Sequence, residues 1–395
     1  MTAAQDLVIA HAFPPHSDPG AVVAAQRVRE RGRPVDVIQN ARGPEHLDLT
    51  LDHDLERIAG DLVRRRHEVD SPTLVEEWPG IARFTERGLQ QALDWDRHGP
   101  GYQQLHSRAD HVANHVLAAR LRLLRPDLEW TAEFSGPLTH DARGKSRRSP
   151  VHPGALPDAL AEGVRRAGFH PPESVNVFEW AETLAHALAD RIVVSDARQR
   201  DRMVAAVTDE ALAARVRERV VIAEQPVLPP AFYELGDPGH DLDPGRTHLG
   251  HLGDARSPRA MDVVLDALGA LPPPARQGLC LHVVTPAHED LREEVARRGL
   301  ADVVRVVDLP RHLDLLALYR RMDVLLLSDP GTGDRTGAGP ALPSAWGDHR
   351  GSGRPVWGLV EAGSALDAEP LDHRTPVGHV SAAVQLLSRL SALRD

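Results

Sequence analysis

The hydrophobic residues of this chain form short apolar runs that are separated by longer segments with helical spacing. Runs of strand length occur at residues 7–12, 35–38, 128–134, 191–195, 220–223, 248–252, 279–284, 303–307, 324–327 and 356–360. Many of the intervening segments place apolar residues three and four positions apart, which indicates helices. This alternation predicts an α/β fold built on parallel sheets.

Two helices have clear sequence signals, and one long segment breaks the alternation. Ser257 followed by Pro258 is typical of a helix start, and the apolar spacing predicts a helix over residues 257–271. Apolar residues also mark one face of a final helix over residues 377–390. Residues 48–107 read as helical pieces rich in Arg and Glu. Two interpretations stay open for that segment: an insertion that recognises an acceptor, or a helical cover over the sheet.

The length and one polar stretch predict two domains. A chain of 395 residues is long enough for two cores of ordinary size. The stretch ELGDPGHDLDPGRT at residues 234–247 has almost no apolar residues and reads as a linker. We therefore expect a first domain over 1–233, a second over 248–375 and a terminal helical segment over 376–395.

Charge and composition exclude several classes of protein. The formal charge is −11, and arginines are interleaved with acids, which argues against a nucleic-acid partner. No apolar run reaches the length of a membrane span, and the first apolar run follows no basic segment, so we expect a strand at the N-terminus and a cytoplasmic location. The abundance of His and Pro is typical of GC-rich bacterial coding. The single cysteine, Cys280, lies in the run GLCLHVV and reads as buried strand core.

The candidate chemistry starts near the C-terminus, where an apolar run is followed by LPSAWGDHRGSGRPVWGLV. A strand, a short helix and a second strand would place the carboxylate of Asp348 beyond the strand ends, where it can accept hydrogen bonds from a ribose diol. Ser344, at the start of that helix, could reach a phosphate. Near the N-terminus, the turn that ends at Gly20 precedes a helix opening at about Ala21, and its backbone N–H groups could hold a phosphate or a sugar hydroxyl.

The C-terminal block resembles the nucleotide end of bacterial GT-B glycosyltransferases of the retaining, glycogen synthase-like group (family 4-like). The pattern LPS, Asp348 and GRP matches the family as it stands, while Ala345 replaces the family lysine and Pro340 replaces a glutamate that holds the donor sugar. The resemblance implies two Rossmann-like domains facing a central cleft, with a C-terminal helix that crosses back to the first domain.

Three further segments carry the resemblance and imply site residues. WTAEFSGPL and the loop after it imply that Glu133 orients an acceptor hydroxyl and that Arg147 meets a phosphate or carboxylate. SRADHVANH implies an acceptor-side role for His115. HLGHLGDARSPRA implies backbone approach to the phosphates at Gly250 and Gly253 and neutralisation of the diphosphate by Arg256, with Arg259 as the fallback. Catalysis would rest on Arg256 and Glu133.

These expectations define a hexosyltransferase-like enzyme that uses a nucleotide-sugar donor, with retention and with neither cofactor nor metal. The acceptor is a small molecule, a glycan or a lipid-linked sugar, and an oligomer is left open. His111 and His115 lie four residues apart, but no HExxH motif or paired carboxylate accompanies them, so a solvated or capping pair is favoured over a metal site. Pro340 and Ala345 motivate two alternatives: an inactive nucleotide- or sugar-binding partner protein, and a nucleotide-sugar epimerase or hydrolase.

Overall fold

The computed structural model describes residues 3–41, 51–71, 76–109, 111–140, 145–239, 241–252, 258–285, 288–329, 342–343 and 345–392. The chain divides into two compact units between Pro226 and Val227. Each unit is built around one parallel sheet, which confirms the predicted α/β class with two Rossmann-like domains. No helix in these described ranges is both long and apolar enough to cross a bilayer.

The first unit contains a seven-stranded parallel sheet. Its strands are β1 (Asp6–Ile9), β2 (Val35–Ala41), β3 (Val63–Asp70), β4 (Gln104–Arg108), β5 (Glu129–Glu133), β6 (Arg191–Val194) and β7 (Val220–Ile222). Its helices are α1 (Pro19–Arg31), α2 (Glu56–Ala59), α3 (Trp78–His98), α4 (Val112–Leu124), α5 (Ala155–Arg166), α6 (Val177–Leu188), α7 (Ala197–Ala206) and α8 (Glu210–Arg219). The spatial order β3-β2-β1-β4-β5-β6-β7 reverses between β1 and β4. In doubly wound folds, ligands bind beyond the carboxyl ends of the strands at this reversal, the topological switch point.

The second unit repeats the same design with six strands. Its strands are β8 (Thr247–Leu252), β9 (Leu279–Val284), β10 (Val304–Val307), β11 (Val324–Ser328), β12 (Val356–Val360) and β13 (His373–Pro376). Its helices are α9 (Pro258–Ala270), α10 (Pro273–Gln277), α11 (His288–Arg297), α12 (His312–Arg321), α13 (Trp346–Ser352) and α14 (Val380–Ser391). The order β10-β9-β8-β11-β12-β13 places the switch point between β8 and β11.

Residues 48–107, expected to interrupt the alternation with helices, contribute two strands to the first sheet. The Arg-rich strand β3 is partly exposed at the sheet edge. Strand β4 is central and largely buried although its sequence is QLHSR. Its polar side chains have buried partners, since Ser107 Oγ accepts a hydrogen bond from Trp130 Nε1 at 2.8 Å. A hydrophobic pattern cannot show a central strand of this kind.

The predicted linker begins inside the second unit, eight residues after the observed division at Pro226. Its first residues pack on α12, where the Asp237 backbone N–H donates to Asp314 Oδ1 at 2.9 Å. A Cβ added to Gly236 would lie 2.2 Å from the carbonyl oxygen of Leu313, so the backbone touches the helix directly. These contacts correct the domain boundary: polar composition marks a surface segment here and not the junction between the units.

The C-terminal helix α14, which the family resemblance assigned to the first domain, packs in the core of the second. Its buried face joins the same hydrophobic cluster as α9 and the second sheet through Ala383, Leu386, Leu387 and Leu390. The carbonyl oxygen of Leu390 also accepts a hydrogen bond from Thr247 Oγ1 at 3.0 Å. The apolar stripe that predicted the helix is thus used within its own unit.

Candidate functional site

Helix α13 carries Asp348 to the carboxyl ends of the strands in the second unit. Trp346, its first residue, packs with Leu327 and Val360 in one buried cluster, which places the first helical turn near the ends of β11 and β12. Gly353 ends the helix with φ of 69°, a left-handed conformation that favours glycine. Asp348 therefore lies near the carboxyl ends of β11 and β12, and its role as a ribose-binding acid stays a prediction.

The backbone of α13 is fixed by Tyr233 from the segment that precedes the second sheet. Tyr233 Oη donates to the carbonyl oxygen of Asp348 at 2.9 Å. A Cβ at Gly351 would lie 2.0 Å from that same Oη, so only glycine permits the approach. Burial, and then the charge of Asp348, raise the pKa of Tyr233 and of Tyr319. The acid itself is partly exposed.

Gly250 has a packing role that differs from its expected approach to a phosphate. It lies inside β8, and a Cβ there would be 2.7 Å from Met322 Cγ and 3.1 Å from the Leu252 side chain. The strand continues to Leu252, so Gly250 precedes the carboxyl end where a phosphate would sit. The expectations for Gly253, Arg256, Ser344 and Pro340, and for the side chain of Arg259, fall outside the described residues.

Asp329, which sequence reasoning missed, orders the carboxyl edge of the second sheet. It follows β11 directly, is fully buried, and its Oδ2 accepts the backbone N–H of Glu361 at 2.8 Å. Burial raises the pKa of Asp329, while Ser364 and the Glu361 N–H oppose the rise. Asp329 thereby ties the loop after β12 to the switch point between β8 and β11. An acid immediately after an apolar run was the available signal.

The turn before α1 does not offer the backbone donors expected at Gly20. Helix α1 begins at Pro19, and the Asp18 carboxylate caps it by accepting the N–H groups of Gly20 at 2.8 Å and Ala21 at 3.2 Å. An N-cap acid satisfies the donors that an anion would need. A phosphate at this helix would have to displace Asp18, so Gly20 is corrected to a capped helical residue.

Glu133, expected to orient an acceptor, is the centre of a buried ion-pair network. Its Oε1 lies 2.5 Å from Arg108 NH1 and 3.3 Å from Arg27 Nε, and its Oε2 lies 3.1 Å from His106 Nε2. Arg31 contacts the other nitrogen of His106 at 2.6 Å. Glu133 is only 4% exposed. Oε1 is thus held by two arginines, while Oε2 lies beside the His106 ring without the geometry of a hydrogen bond.

The electrostatics of this network keep the Glu133 carboxylate ionised near neutral pH. Burial alone would raise the pKa of Glu133, but Arg108, His106 and Arg27 together hold it well below its usual range. Burial, and then Arg31, lower the pKa of His106 to about 4. The carboxylate is ionised and the imidazole is neutral at pH 7. We therefore correct Glu133 from an acceptor-side group to a structural one.

His115 lies in the core of the first unit and is fully buried. Its Nδ1 contacts Ser107 Oγ at 2.8 Å, and its ring meets the edges of Trp130 and Phe134. Burial lowers its pKa to about 3. This face of α4 packs on the sheet, so His115 offers no surface to an acceptor. His111, by contrast, is the N-cap residue of α4.

Four polar residues meet at the switch point of the first sheet, and we call His11, Glu76, His111 and Arg147 the switch-point cluster. The rings of His11, after β1, and His111, after β4, stack with centroids 3.4 Å apart. Glu76 Oε1 lies 3.8 Å from His111 Nδ1, and Glu76 Oε2 lies 3.9 Å from Arg147 NH2. The cluster therefore brings two imidazoles, a carboxylate and a guanidinium to the position where this fold binds ligands.

Glu76 carries two marks of a functional residue. Its φ of 51° is the one positive value at a non-glycine residue in the described part of the chain, and such strain gathers at functional sites. Burial raises its pKa, while Arg147 and the Val112 N–H oppose the rise. Of the cluster only Arg147 was singled out in advance for this role. His11 and His111 each follow a strand, but the pairing becomes visible only when β4 is known to lie beside β1.

These features define the class of protein. Two Rossmann-like units, each with the doubly wound strand order, constitute the GT-B fold, with polar residues gathered beyond the carboxyl ends of the strands in each unit. No protein-family model matches the chain, and no curated protein matches it. Solved structures, however, match it over almost its whole length.

The similar structures include glycosyltransferases and an epimerase. HepE of Anabaena in complex with UDP is 13% identical, with 98% of this chain and 89% of that chain covered and a TM-score of 0.57. Sucrose-phosphate synthase of Thermosynechococcus elongatus is 13% identical, with 99% and 90% covered and a TM-score of 0.58. A UDP-N-acetylglucosamine 2-epimerase is 11% identical, with 98% and 87% covered and a TM-score of 0.51. At these identities the likeness establishes the shared fold.

Proposed function

We propose that this chain is a glycosyltransferase that moves a sugar from a nucleoside diphosphate sugar to a hydroxyl group of an acceptor. The observation that carries the proposal is Asp348, a partly exposed acid in the first turn of α13 at the carboxyl ends of β11 and β12. The fold likeness to HepE, solved with UDP and with UDP-glucose, supports a nucleotide-sugar donor.

On the donor side, Asp348 accepts hydrogen bonds from the two ribose hydroxyls. A carboxylate has two acceptor oxygens and matches a diol better than any neutral side chain. Gly253 lets the backbone approach the diphosphate, Arg256 neutralises it with Arg259 as the fallback, and Ser344 reaches a phosphate oxygen. These four assignments rest on the family resemblance of the sequence.

On the acceptor side, the switch-point cluster replaces Glu133 and His115. The Arg147 guanidinium lies over the Phe178 ring at 5.0 Å, and its NH2 lies 3.9 Å from Glu76 Oε2, so two neighbours position it. A held guanidinium binds a phosphate or carboxylate of the acceptor with little loss of side-chain entropy. The Glu76 carboxylate and the His111 imidazole supply hydrogen-bond acceptors for sugar hydroxyls.

The proposed transfer retains the anomeric configuration and needs no metal. The acceptor oxygen forms a bond to the anomeric carbon while the bond from that carbon to the diphosphate oxygen breaks. The proton of the acceptor hydroxyl passes to the departing diphosphate oxygen. Arginine takes the charge-stabilising role, because a guanidinium binds phosphate oxygens in the planar geometry that its fork provides.

A panel of nucleotide sugars, each incubated with and without candidate glycan acceptors, tests the function. The proposal expects free nucleoside diphosphate together with an extended acceptor whose new linkage has the donor configuration, as read by NMR. Asp290→Asn, an exposed first-turn acid of α11 in the same unit, serves as the matched control for Asp348→Asn. Asp348→Asn should lose donor use, and the control should keep it.

An epimerase is the second candidate, because the fold is also that of UDP-N-acetylglucosamine 2-epimerase. It predicts an isomerised nucleotide sugar in the absence of any acceptor, which the same NMR experiment detects. Nucleotide binding without product of either kind would instead favour an inactive partner protein, the alternative that Pro340 and Ala345 suggest. A product with inverted anomeric configuration would support the transferase activity and contradict the retaining mechanism.

A further inference from the structure

A group of three metal-binding side chains lies in the second unit, away from the residues discussed so far. His248 is on β8, and Cys280 and His282 are on β9. One ligand atom from each residue lies within 4.8 Å of the other two, and this is the one such group of His, Cys or acidic residues in the described part of the chain. All three side chains are buried.

The register of the two strands explains why these side chains meet. His248 is paired with Cys280, and His282 lies two residues further along β9, so all three point to one face of the sheet. Leu249, Leu281 and Val283 alternate with them and belong to the main hydrophobic core on the other face. His248 and Cys280 are each the second residue of their strand, and His282 is the fourth of the six residues of β9. Asp329 and Asp348 lie at the carboxyl ends, so the group is separate from the proposed donor site.

The hydrogen bonds of His248 leave the lone pair of its Nδ1 directed at His282. His248 Nε2 lies 2.9 Å from the carbonyl oxygen of Asp243, which can only accept, so Nε2 carries the proton. In the neutral ring, Nδ1 is then the nitrogen with the lone pair, and it lies 2.8 Å from His282 Nε2. A histidine whose second nitrogen donates to a backbone carbonyl is the arrangement that metal-ligating histidines show in most proteins.

We propose that His248 Nδ1, Cys280 Sγ and His282 Nε2 bind a divalent cation of the zinc type. Two imidazole nitrogens and one thiolate are ligands that Zn²⁺ takes, and they leave the fourth tetrahedral position for water. Bond lengths of ~2.0–2.1 Å to nitrogen and ~2.3 Å to sulfur require ligand atoms about 3.3–3.6 Å apart. The two imidazole nitrogens, now 2.8 Å apart, therefore move apart by about half an ångström on binding.

Binding of the ion changes the protonation of two of its ligands. The Cys280 thiol releases one proton to solvent, and His282 changes tautomer so that Nδ1 carries its proton and Nε2 faces the ion. The ion and the thiolate leave one net positive charge, held beside the Asp243 backbone carbonyl. Since the site joins β8 to β9 and is buried, a bound ion stabilises the second unit.

Cobalt titration of the full chain tests the site, because Co²⁺ reports its ligands by absorption. The chain has one cysteine, so any thiolate-to-cobalt charge-transfer band comes from Cys280. We expect protein stripped by a chelator to bind one Co²⁺ with this band and with the visible absorption of tetrahedral cobalt, and Zn²⁺ to displace it. Bound Zn²⁺ should raise the melting temperature of wild type.

Matched variants separate this site from surface histidines. Cys280→Ala should abolish the charge-transfer band and weaken Zn²⁺ binding by at least ~10- to 100-fold. That is the loss of affinity caused by removing a residue that only hydrogen-bonds to a metal ligand, so removing a ligand itself should cost at least as much. His98→Gln, an exposed histidine on α3, should change neither. Wild type that shows no charge-transfer band with Co²⁺ overturns the proposal, whatever the variants do. Binding without that band, at an affinity that Cys280→Ala leaves unchanged, assigns the metal to surface histidines and also overturns it.

Discussion

Replacing Glu133 by glutamine should destabilise the first unit strongly. The carboxylate is 4% exposed and lies within 3.3 Å of Arg108, Arg27 and His106. The amide removes the negative charge beside the nearly buried Arg108, whose NH1 lies 2.5 Å from Glu133 Oε1, while Arg27 keeps its ion pair with Glu30. Removing one partner from a buried ion pair costs about 3–5 kcal/mol. For a unit of this size, that corresponds to a fall of about 6–20 °C in melting temperature.

Scanning calorimetry at pH 7 measures this change, with Glu129→Gln as the control. Glu129 begins the same strand and is exposed, so its replacement should alter the free energy of unfolding by no more than ~0.5 kcal/mol. The pKa of Glu133 in the folded protein is held well below that of the unfolded chain. Its contribution is therefore fully present above about pH 4.5 and is lost as the pH falls through the folded pKa.

One result would refute this reasoning. If Glu133→Gln melts like wild type and loses turnover with a good donor and acceptor, Glu133 is a reacting or substrate-orienting group, as the sequence first suggested. If both variants melt like wild type and retain turnover, the network has no structural weight. The account requires a large loss of stability at Glu133 and none at Glu129.

Three further predictions concern pH, metals and the acceptor. Burial lowers the pKa of several histidines to about 4 or below, so the free energy of unfolding should decrease as the pH drops below 6.5. The expected decrease is about 1 kcal/mol for each histidine between pH 7 and 5.5. A melting temperature that stays constant over that range contradicts this prediction. These histidines are His106, His115, His186, His251 and His349. Turnover should persist in EDTA without added Mg²⁺ or Mn²⁺, and its strict loss at an unchanged melting temperature would count against the metal-free mechanism. Arg147→Gln should lower kcat/KM for an anionic acceptor about 10- to 150-fold, the loss of one charged hydrogen bond, while calorimetry shows unchanged nucleotide affinity.

Much of the fold could be predicted because buried strands made of apolar residues are visible as apolar runs in the sequence. Strands β9 and β12 occupy the predicted residues, since both are buried along their whole length and consist mostly of apolar side chains. Helix α9 differs from its prediction by one residue at each end. Strand β4 was not predicted, because its buried residues are mostly polar and have partners on other elements. Its omission hid the switch point of the first sheet.

The candidate site was less predictable because its contacts are distant in sequence. Arg108 and Arg27, which bind Glu133, lie 25 and 106 residues from it along the chain, and no local spacing indicates such a network. Gly20 was read from its position in a turn, but Asp18, two residues earlier, already caps the helix. Asp348 was found because its helix, its C-terminal glycine and the following strand are contiguous in sequence.

Calorimetric titration with UDP and other nucleoside diphosphates tests most directly the central claim that the second unit binds a donor nucleotide through Asp348. Wild type and the control Asp290→Asn should bind the preferred nucleotide equally. Asp348→Asn should bind it about 10- to 150-fold more weakly, because a hydrogen bond to a charged acceptor contributes about 1.5–3 kcal/mol. Equal affinities for all three proteins at equal melting temperatures, or no nucleotide binding by wild type, would contradict the claim.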